Sequence, residues 1–527
     1  MKLNKLSVLA IFFLIQSFNF AQKKEIVAYY HGTYHKNHIA QEKYLLDKDL
    51  IDKITVINYA FSIPVQDSTG KIVPLITNPF FAYQEYYSTE MSVDGIADDS
   101  SQTLRGQFNQ LRKLKKLNPD LKILISLGGW GGSKYFSDLA LTASSREHFV
   151  DSCLSLFISG NLPIVNGAGG NEAALGVFDG IDLDWEFPIT GGPEGTHYNE
   201  NDRENHTELF KLFREKLNKI DEKLLLTAAV TGRSNEFWQY NFSQDQQYLD
   251  WFNLMSYDLH GSAENLTGHH SNLLSSKYDI DPKRESLDRM VQYLLDSAGV
   301  TPDKIIPGAA FYGKGWEEVD SINNGLYQAG VPIKKWGYIK FDNFLDFTDI
   351  QNRGFQCNWD DNTLAASLYN KDEKIFWTYD DIRSMALKSR YVDAYNLRGL
   401  MFWQIFGDDT LGTLTKTIYN RNMPDVQYKE SKQENILPSI TITSPNKQNS
   451  NFSEGDNIII NTSVDDKDGK VIKVEFFIDG NSIGYNTLAP FHWAWFNASK
   501  GEHLISAIAF DDNGGKTFSE KIKIFVQ

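Results

Sequence analysis

The sequence predicts a mixed α/β fold: a (β/α)8 TIM barrel with an α+β insertion subdomain, followed by an all-β immunoglobulin-like sandwich. Two observations predict this architecture. Eight β-rich runs that are apolar on both faces recur along most of the chain, with helical segments between several of them. Beyond residue 437 the pattern changes to short strands at close intervals, separated by turn signals. The length of 527 residues is also too great for one ordinary domain.

The eight candidate strands have the pattern of buried parallel strands, which lack a clean alternation of apolar and polar residues. They span 25–30, 54–61, 121–129, 176–187, 224–230, 251–258, 304–313 and 399–406. Helices are predicted between several of them, at 108–117, 208–220 and 287–299. Eight buried strands joined by helices predict a barrel whose active site lies at the carboxyl ends of its strands.

The N-terminus predicts export. Residues 1–21 have the pattern of a signal peptide, because Lys2 and Lys5 precede an apolar run at 6–15 and Ala21 suits cleavage. That run is too short to span a bilayer, and no later stretch has the roughly 20 apolar residues of a membrane helix. We therefore expect a secreted protein without membrane insertion.

The rest of the chain divides into three regions. The barrel is predicted over 22–418, with an aromatic- and amide-rich insertion at about 314–378 that is too long for one connecting helix. Residues 419–437 lose apolar periodicity and predict a linker. Residues 438–527 predict the sandwich, of a bacterial immunoglobulin-like type because the Cys-Trp-Cys signature of antibody domains is absent.

Composition narrows the class of partner. The formal net charge of −16 argues against nucleic acid and anionic membranes, and fits a soluble protein that acts on a neutral substrate. The supply of 11 Trp, 25 Tyr and 34 Phe suits a protein that binds sugar rings. The two cysteines, Cys153 and Cys357, could pair in an oxidising compartment, but their wide separation favours two buried free thiols.

The stretch DGIDLDWEFP at 179–188 contains the candidate chemistry. Residues two apart on a strand share a face at roughly 6.6 Å separation, so Asp182, Asp184 and Glu186 are predicted to point into the barrel mouth. Three ionised carboxylates in a row repel each other, and burial adds to that cost. At least one proton should therefore be held in the row, with a raised pKa for one member. A carboxylic acid that stays protonated near neutral pH suits a general acid for glycosidic cleavage.

Two other readings of this stretch are a metal-binding row and a solvated edge strand. An edge strand is disfavoured because Trp185 and Phe187 would be exposed on it. A metal site is disfavoured because no histidine lies nearby at ligand spacing. Acid–base catalysis is the favoured hypothesis.

This stretch resembles the D-x-x-D-x-D-x-E signature of glycoside hydrolase family 18, the family of many chitinases. Other segments resemble further motifs of that family, so the resemblance covers residues 24 to about 418. The segments are LKILISLGGW (121–130), NLMSYDLHG (253–261), FYGKGW (311–316), TYDD (378–381) and GLMFWQIFGDD (399–409). TYDD is similar to the end of the insertion found in the family's deep-cleft subgroup.

The resemblance implies a chitinase that hydrolyses β-1,4-linked N-acetylglucosamine polymers with retention by substrate-assisted catalysis, without a cofactor or a metal. Glu186 would protonate the glycosidic oxygen, and the substrate's own 2-acetamido oxygen would attack the anomeric carbon. Asp184 would orient the acetamido group, and Asp182 would share a proton with Asp184. Tyr257 would donate a hydrogen bond to the acetamido oxygen.

The resemblance also implies a set of substrate-binding residues. Trp403 would form the floor under the sugar at the cleavage site, and Trp130 and Trp316 would either stack on further sugars or be structural. Asp179 is expected to support the geometry of the strand, and Lys314 stands where the family usually has Arg. The whole expected binding set is Tyr29, Phe61, Ser126, Gly129, Trp130, Met255, Asp258, Trp316 and Trp403.

Two rivals to the chitinase remain open. The first is an endo-β-N-acetylglucosaminidase that cuts the chitobiose core of N-glycans, but the insertion and the M-x-Y-D strand favour chitin. The second is a catalytically inactive chitin-binding lectin, which the presence of Glu186, Asp184 and Tyr257 disfavours. We expect a monomer that binds chitin or chitooligosaccharides. The sandwich is expected to be a spacer or a weak accessory module, with chitin binding less favoured.

Overall fold

The computed structural model describes residues 24–32, 41–261, 263–333, 353–426, 435–446 and 448–527. The predicted signal peptide at 1–21 and the central part of the predicted linker, 427–434, lie outside the described residues. Within the described segments, no helix is both long enough and apolar enough to cross a membrane.

Eight parallel strands form a closed barrel, which confirms the predicted fold class. Each strand pairs with its neighbours, and the first strand pairs with both the second and the last, so that the sheet closes. An antiparallel strand at Ile72–Ile76 is added beside the second strand. The barrel strands are β1 (Glu25–His31), β2 (Val56–Gln66), β3 (Lys122–Gly128), β4 (Gly180–Asp184), β5 (Leu225–Val230), β6 (Trp251–Leu254), β7 (Ile305–Ala310) and β8 (Gly399–Trp403).

The two faces of the barrel strands are buried in different surroundings. Val27, Leu124 and Met401 belong to a small apolar cluster inside the barrel. Ile123 and Ile181, on the alternate positions, belong to the larger cluster that packs against the helices. Burial on both sides is why these strands lack a polar face in the sequence.

Helices cover the outside of the barrel. The predicted helices at 108–117 and 208–220 are present as Gly106–Leu117 and Asp202–Ile220. The one predicted at 287–299 ends at Gln292 and continues as a π-helical turn at Tyr293–Ser297. The other α-helices within the described residues are Gln41–Asp47, Phe136–Ala140, Ala143–Cys153, Phe242–Asp245, Ile382–Ala394 and Thr413–Asn420.

A five-stranded antiparallel sheet lies between β7 and β8 in the chain. Its strands are Gly313–Glu317, Val331–Pro332, Phe355–Asp360, Ala365–Asn370 and Ile375–Tyr379. Cys357 lies on Phe355–Asp360, the edge strand of this sheet, and is exposed, so its predicted burial is wrong. Cys153 is buried, and both thiols are free as predicted.

The C-terminal region forms two β-sheets with Trp493 fully buried in the core, which confirms the predicted sandwich class. Three of its strands, at Ser450–Phe452, Asn481–Asn486 and Lys516–Phe518, have sequences that are mostly polar or contain glycine, and so lack the apolar alternation typical of strands. The Asn481–Asn486 strand pairs in a hairpin, so its partner strand determines its conformation. The other strands are Ser439–Ser444, Ile458–Asp465, Val471–Ile478, His492–Trp495, Gly501–Asp511 and Ile522–Val526.

Candidate active site

A cavity of about 890 Å³ opens at the carboxyl end of the barrel, where the fold class places active sites. Residues on or just after β1, β2, β4, β6 and β8 line it, together with residues of the insertion. The structure brings nine predicted site residues to this cavity: Tyr29, Phe61, Trp130, Asp184, Glu186, Met255, Tyr257, Asp258 and Trp403.

The side chains of the acidic stretch point alternately to the two faces of the strand, as predicted. Asp182 and Asp184 lie on β4, and Glu186 follows two residues after that strand ends. Trp185 faces the helices instead, where its ring stacks on Phe136 with centroids 5.3 Å apart. The packing of the opposite face therefore holds the carboxylates toward the barrel axis.

Asp182 is fully buried below the cavity and accepts four hydrogen bonds. Its Oδ2 accepts from the hydroxyls of Tyr29 (2.9 Å) and Ser126 (2.7 Å). Its Oδ1 accepts from the Thr227 hydroxyl (2.6 Å) and the Asn253 amide (3.0 Å). Burial raises the pKa of Asp182, and these donors oppose that rise because they stabilise the carboxylate.

Asp184 and Glu186 are buried with far fewer donors. The Oδ1 atom of Asp184 accepts no hydrogen bond within the described part of the chain. Burial, and then the charges of Glu186 and Asp182, raise the pKa of Asp184 well above its usual value. Burial, and then the charge of Asp258, raise the pKa of Glu186 to about 8. This pair therefore holds a proton at neutral pH.

Ser133 connects the backbones at the end of this row. Its hydroxyl oxygen accepts a hydrogen bond from the Glu186 backbone N–H (2.9 Å) and lies 3.1 Å from the Asp184 carbonyl oxygen. It lies on the loop after β3, where no motif in the sequence indicates a role. Ser133 positions the segment that carries both carboxylates.

Tyr257 and Asp258 lie together on the loop after β6. Tyr257 lines the cavity and its hydroxyl lies 3.9 Å from Met401 Sδ; burial, and then the neighbouring carboxylates, raise the pKa of Tyr257, which therefore keeps its hydroxyl proton. Asp258 has a left-handed backbone with a φ of 58°. That conformation is uncommon for a residue other than glycine, asparagine or aspartate.

Three groups converge on Oδ1 of Asp258. The Tyr312 hydroxyl donates a hydrogen bond to it (2.7 Å), Lys314 Nζ lies 3.2 Å away, and His270 Nδ1 lies 3.7 Å away. The Asp258 side chain is half exposed at the cavity; desolvation raises its pKa, but Lys314 and the other two groups outweigh desolvation and hold that pKa well below its usual range. Lys314 therefore reaches Asp258 although it stands where the family usually has Arg.

Aromatic rings form one end of the cavity. Trp403 is half-buried and stacks on Phe61 with centroids 5.7 Å apart and an interplanar angle of 16°. The Tyr29 and Trp403 ring centroids lie 5.6 Å apart, with an interplanar angle of 47°. Trp130 lies at the rim, with 56% of its surface exposed. Flat apolar faces of this kind bind the hydrophobic faces of sugar rings.

Besides Asp182, four predicted residues lie outside the cavity lining. Trp316 is fully buried in the insertion, where it packs near Phe376 and its Nε1–H donates to the Glu264 carbonyl oxygen (2.8 Å). Of the two alternatives left open for Trp316, the structural one is confirmed, because the insertion sheet uses this ring as core. Ser126 lies behind the cavity and contacts Asp182 instead of solvent.

The other two of these predicted residues, Gly129 and Asp179, support the local backbone structure. Gly129 has a φ of +81°, and a Cβ there would lie 2.6 Å from the Phe61 ring, so the glycine leaves room for that ring. The Asp179 carboxylate accepts from the Ile123 N–H (2.9 Å) and from Lys115 (2.8 Å). Asp179 thereby ties β4 to β3, which is the supporting position expected of it.

One group among the described residues has the donor atoms of a metal site. Ligand atoms of His260, Glu264 and Asp281 lie within 4.8 Å of one another. The two ring nitrogens of His260 already face Glu264 (2.8 Å) and Asp279 (3.3 Å). Burial lowers the pKa of His260, but these carboxylates outweigh burial and raise it to about 9. The ring is thus a cation held between two anions, which fits a metal ligand poorly.

Comparison with known families agrees with this geometry. The model of glycosyl hydrolases family 18 matches residues 25–408, and that of the bacterial Ig domain matches residues 438–507. Chitinase A1 of Niallia circulans is 34% identical over 342 residues, which cover 62% of this chain and 46% of that protein. The chain spans about half the length of the curated relatives that it matches.

Solved structures are similar to the barrel. The catalytic domain of psychrophilic chitinase B from Arthrobacter TAD20 is 31% identical, with a TM-score of 0.68 over 76% of this chain and 95% of that chain. A family 18 N-acetylglucosaminidase from Paenibacillus barengoltzii is 29% identical, with a TM-score of 0.57 over 76% of this chain and 99% of that chain.

Proposed function

Because the chain belongs to glycosyl hydrolases family 18, we propose that it is a secreted chitinase that hydrolyses β-1,4-linked N-acetylglucosamine polymers with retention. The observation that carries this proposal is the position of Glu186. A buried carboxyl with a pKa raised to about 8 lines the cavity, beside Asp184 and near an aromatic floor. An acid that is protonated at neutral pH suits donation to a glycosidic oxygen.

In the first step Glu186 gives its proton to the glycosidic oxygen, and the bond to the anomeric carbon breaks. The oxygen of the substrate's 2-acetamido group attacks that carbon and closes a cyclic oxazolinium ion, so no protein nucleophile is needed. Glu186 is left as a carboxylate. In the second step it takes a proton from water, the water oxygen attacks the anomeric carbon, and the ring reopens with retained configuration.

Asp184 and Tyr257 orient the reacting acetamido group in this scheme. Asp184 accepts a hydrogen bond from the acetamido N–H and stabilises the positive charge of the oxazolinium ion. Tyr257 donates its hydroxyl proton to the acetamido oxygen. Both side chains line the cavity with Glu186, which supports these roles.

Asp182 has a different environment from Asp184. Its two oxygens are occupied by four donors, so we propose that it remains an anion, while the proton of the neighbouring pair lies on Glu186 and leaves Asp184 as the carboxylate that faces the acetamido group. The predicted sharing of a proton between Asp182 and Asp184 stays a prediction. No hydrogen bond joins the two carboxyl groups in the part of the chain that the structure describes.

A second candidate is an N-acetylglucosaminidase, because one similar structure carries that name. The test is product analysis on chitin oligomers and on a glycoprotein with a chitobiose core, with the wild type and Glu186→Gln. We expect disaccharide from chitin oligomers, and a loss of roughly 10²–10⁴-fold in kcat in the variant. Release of N-glycans or of single sugars, with little disaccharide, would favour the second candidate. Retained chitin binding without any cleavage would indicate a lectin.

A further inference from the structure

The C-terminal sandwich contacts the catalytic domain through a buried arginine. Arg383, on the helix Ile382–Ala394, is only 3% exposed. Its Nη2 donates to the carbonyl oxygens of Leu488 and Ala489 (3.1 Å each), and its Nη1 lies 3.5 Å from that of Pro490. One guanidinium of the catalytic domain thus binds three successive carbonyls of the sandwich. Separation of the domains would leave those groups without these partners.

Aromatic rings extend this contact to the insertion. The Arg383 guanidinium lies 4.5 Å from the ring centroid of Trp359, on the edge strand Phe355–Asp360 of the insertion. The His492 ring of the sandwich stacks on Trp359, with centroids 5.2 Å apart and an interplanar angle of 23°. His492 Nδ1 also lies 2.9 Å from Asp361 Oδ1. The sandwich therefore contacts both the barrel helix and the insertion.

A second set of contacts joins the sandwich to two barrel helices. The Asn457 amide donates to Asp288 (3.2 Å), and its oxygen accepts from the Tyr395 hydroxyl (3.1 Å). The Asn497 amide donates to the Ala394 carbonyl oxygen (3.0 Å). These polar contacts satisfy groups that the interface removes from water.

Apolar packing is continuous across the same boundary. Tyr391 of the barrel helix and Phe496 of the sandwich are both buried, and their rings meet edge to face with centroids 5.4 Å apart. One buried apolar cluster includes core residues of the barrel and of the sandwich, such as Ile181 and Trp493. Interfaces between independent domains are usually more polar and permit relative motion.

The insertion hairpin that the sandwich contacts also holds the loop beside the cavity. The Thr363 carbonyl oxygen accepts from the Leu273 and Leu274 N–H groups (3.1 and 3.0 Å). His269 Nε2 lies 3.5 Å from Asp360 Oδ2. His270, the next residue, faces Asp258 in the active site. Contacts therefore run from the sandwich through the hairpin to the wall of the cavity.

We propose that the sandwich is a fixed part of the catalytic unit, which clamps the insertion and the helix Ile382–Ala394 onto the barrel. Its binding partner is the catalytic domain of the same chain. A spacer domain would be held near the barrel by the linker alone. This sandwich also contacts the catalytic domain through a buried arginine, stacked rings and hydrogen-bonded amides. This proposal competes with the expected role as a spacer or weak accessory module, which stays a prediction.

The test separates the covalent link from the interface. A recognition sequence for a site-specific protease is placed within 427–434 of the full chain, and the chain is folded and then cut. We expect the two fragments to co-elute in gel filtration at micromolar concentration. Fragments that separate in native buffer would overturn the proposal. This readout does not depend on the substrate of the enzyme.

Three variants of the cleavable chain locate the interaction. Arg383→Ala and His492→Ala lie on opposite sides of the interface, and each is expected to raise the dissociation constant of the fragments at least tenfold. Lys523→Ala is the matched control, because Lys523 pairs with Glu502 within the sandwich, where both side chains are exposed, and it is expected to contribute nothing across the interface. His492→Ala keeps the test valid if Arg383→Ala does not fold. An unchanged dissociation constant in both interface variants would overturn the assigned surface.

Discussion

The acidic row of β4 and the cluster around Asp258 meet in one cavity, yet their carboxyl groups have opposite pKa shifts. Burial raises the pKa of Asp184, which has an oxygen without a donor, and raises that of Glu186 to about 8. Desolvation acts on the half-exposed Asp258 in the same direction, but a lysine, an imidazole and a phenol hydroxyl outweigh it. The neighbours of a carboxyl group thus decide whether it serves as an acid or as a fixed charge. The two groups are linked, because the charge of Asp258 helps to raise the pKa of Glu186.

After the loss of the acid Glu186, the largest effect is expected from Asp184→Asn, which removes a carboxylate from the row while keeping its shape. The oxazolinium ion would lose its nearest stabilising carboxylate, so we expect kcat to fall by roughly 10²–10³-fold with little change in KM. Steady-state kinetics on chitooligosaccharides measure this. Asp120→Asn, at an exposed position, is the control. A kcat within twofold of wild type would contradict the role of Asp184.

The next effect is the pH dependence of the free energy of unfolding that Glu186 causes. The folded protein keeps this proton up to a pH of about 8, whereas the unfolded chain releases it near 4.5. The native state therefore binds more protons between these values, and the free energy of unfolding falls as the pH rises through that window. The Glu186→Gln variant has no carboxyl group to titrate at this position, so its free energy of unfolding should not fall for this reason. The free energy of unfolding of the variant minus that of the wild type should therefore increase by several kcal/mol from pH 5 to pH 9.

Urea unfolding of both proteins at the two pH values measures this difference. Asp120→Asn again serves as the control, since the residue is exposed. A stability difference between Glu186→Gln and wild type that is the same at both pH values would mean that Glu186 does not hold a proton in the folded protein.

A smaller effect is expected from Asp258→Asn, which breaks the link between the two groups. Without the charge of Asp258, the pKa of Glu186 should fall. The basic limb of the pH profile of kcat/KM should therefore shift to lower pH by up to ~1 unit, in addition to any loss of activity. The normalised profile is the measurement. A basic limb at the wild-type pH would show that burial alone sets the acid.

The smallest effect is expected from Lys314→Gln, which weakens the cluster but leaves Tyr312 and His270 beside Asp258. The pKa of Asp258 should rise because its cation is lost, so Asp258 would protonate at a higher pH. The acid limb of kcat/KM should then move to higher pH by less than ~1 unit. Lys314→Arg keeps the charge and should retain the wild-type profile. Equal shifts in both variants would indicate a steric effect instead.

The barrel and the acidic row could be predicted because both patterns are local. Burial on both faces is visible in each strand, and the period of two places Asp182 and Asp184 on one side whatever the strand pairs with. Ser133, Thr227, Asn253 and His270 could not be predicted as site residues. They come from separate loops and strands, and no spacing in the sequence relates them to the carboxylates that they face.

Two aromatic residues show the same limit. The sequence did not distinguish Trp130 from Trp316 as a sugar-binding residue. In the structure Trp130 is 56% exposed at the cavity rim, whereas Trp316 is fully buried. The insertion sheet decides this, because Trp316 packs inside it near Phe376. Cys357 is exposed for a related reason, since its strand lies at the edge of that sheet.

By itself the sequence determined the fold class, the family and the facing of the catalytic row, since these depend on residue types at short spacing. The tertiary structure alone decided which carboxyl group is ionised, which tryptophan meets the cavity and how the sandwich contacts the catalytic domain. These properties depend on burial and on donors that lie far apart in the chain. Asp182 and Asp184 are two residues apart, yet four donors from other strands surround Asp182, whereas Oδ1 of Asp184 has no partner among the described residues.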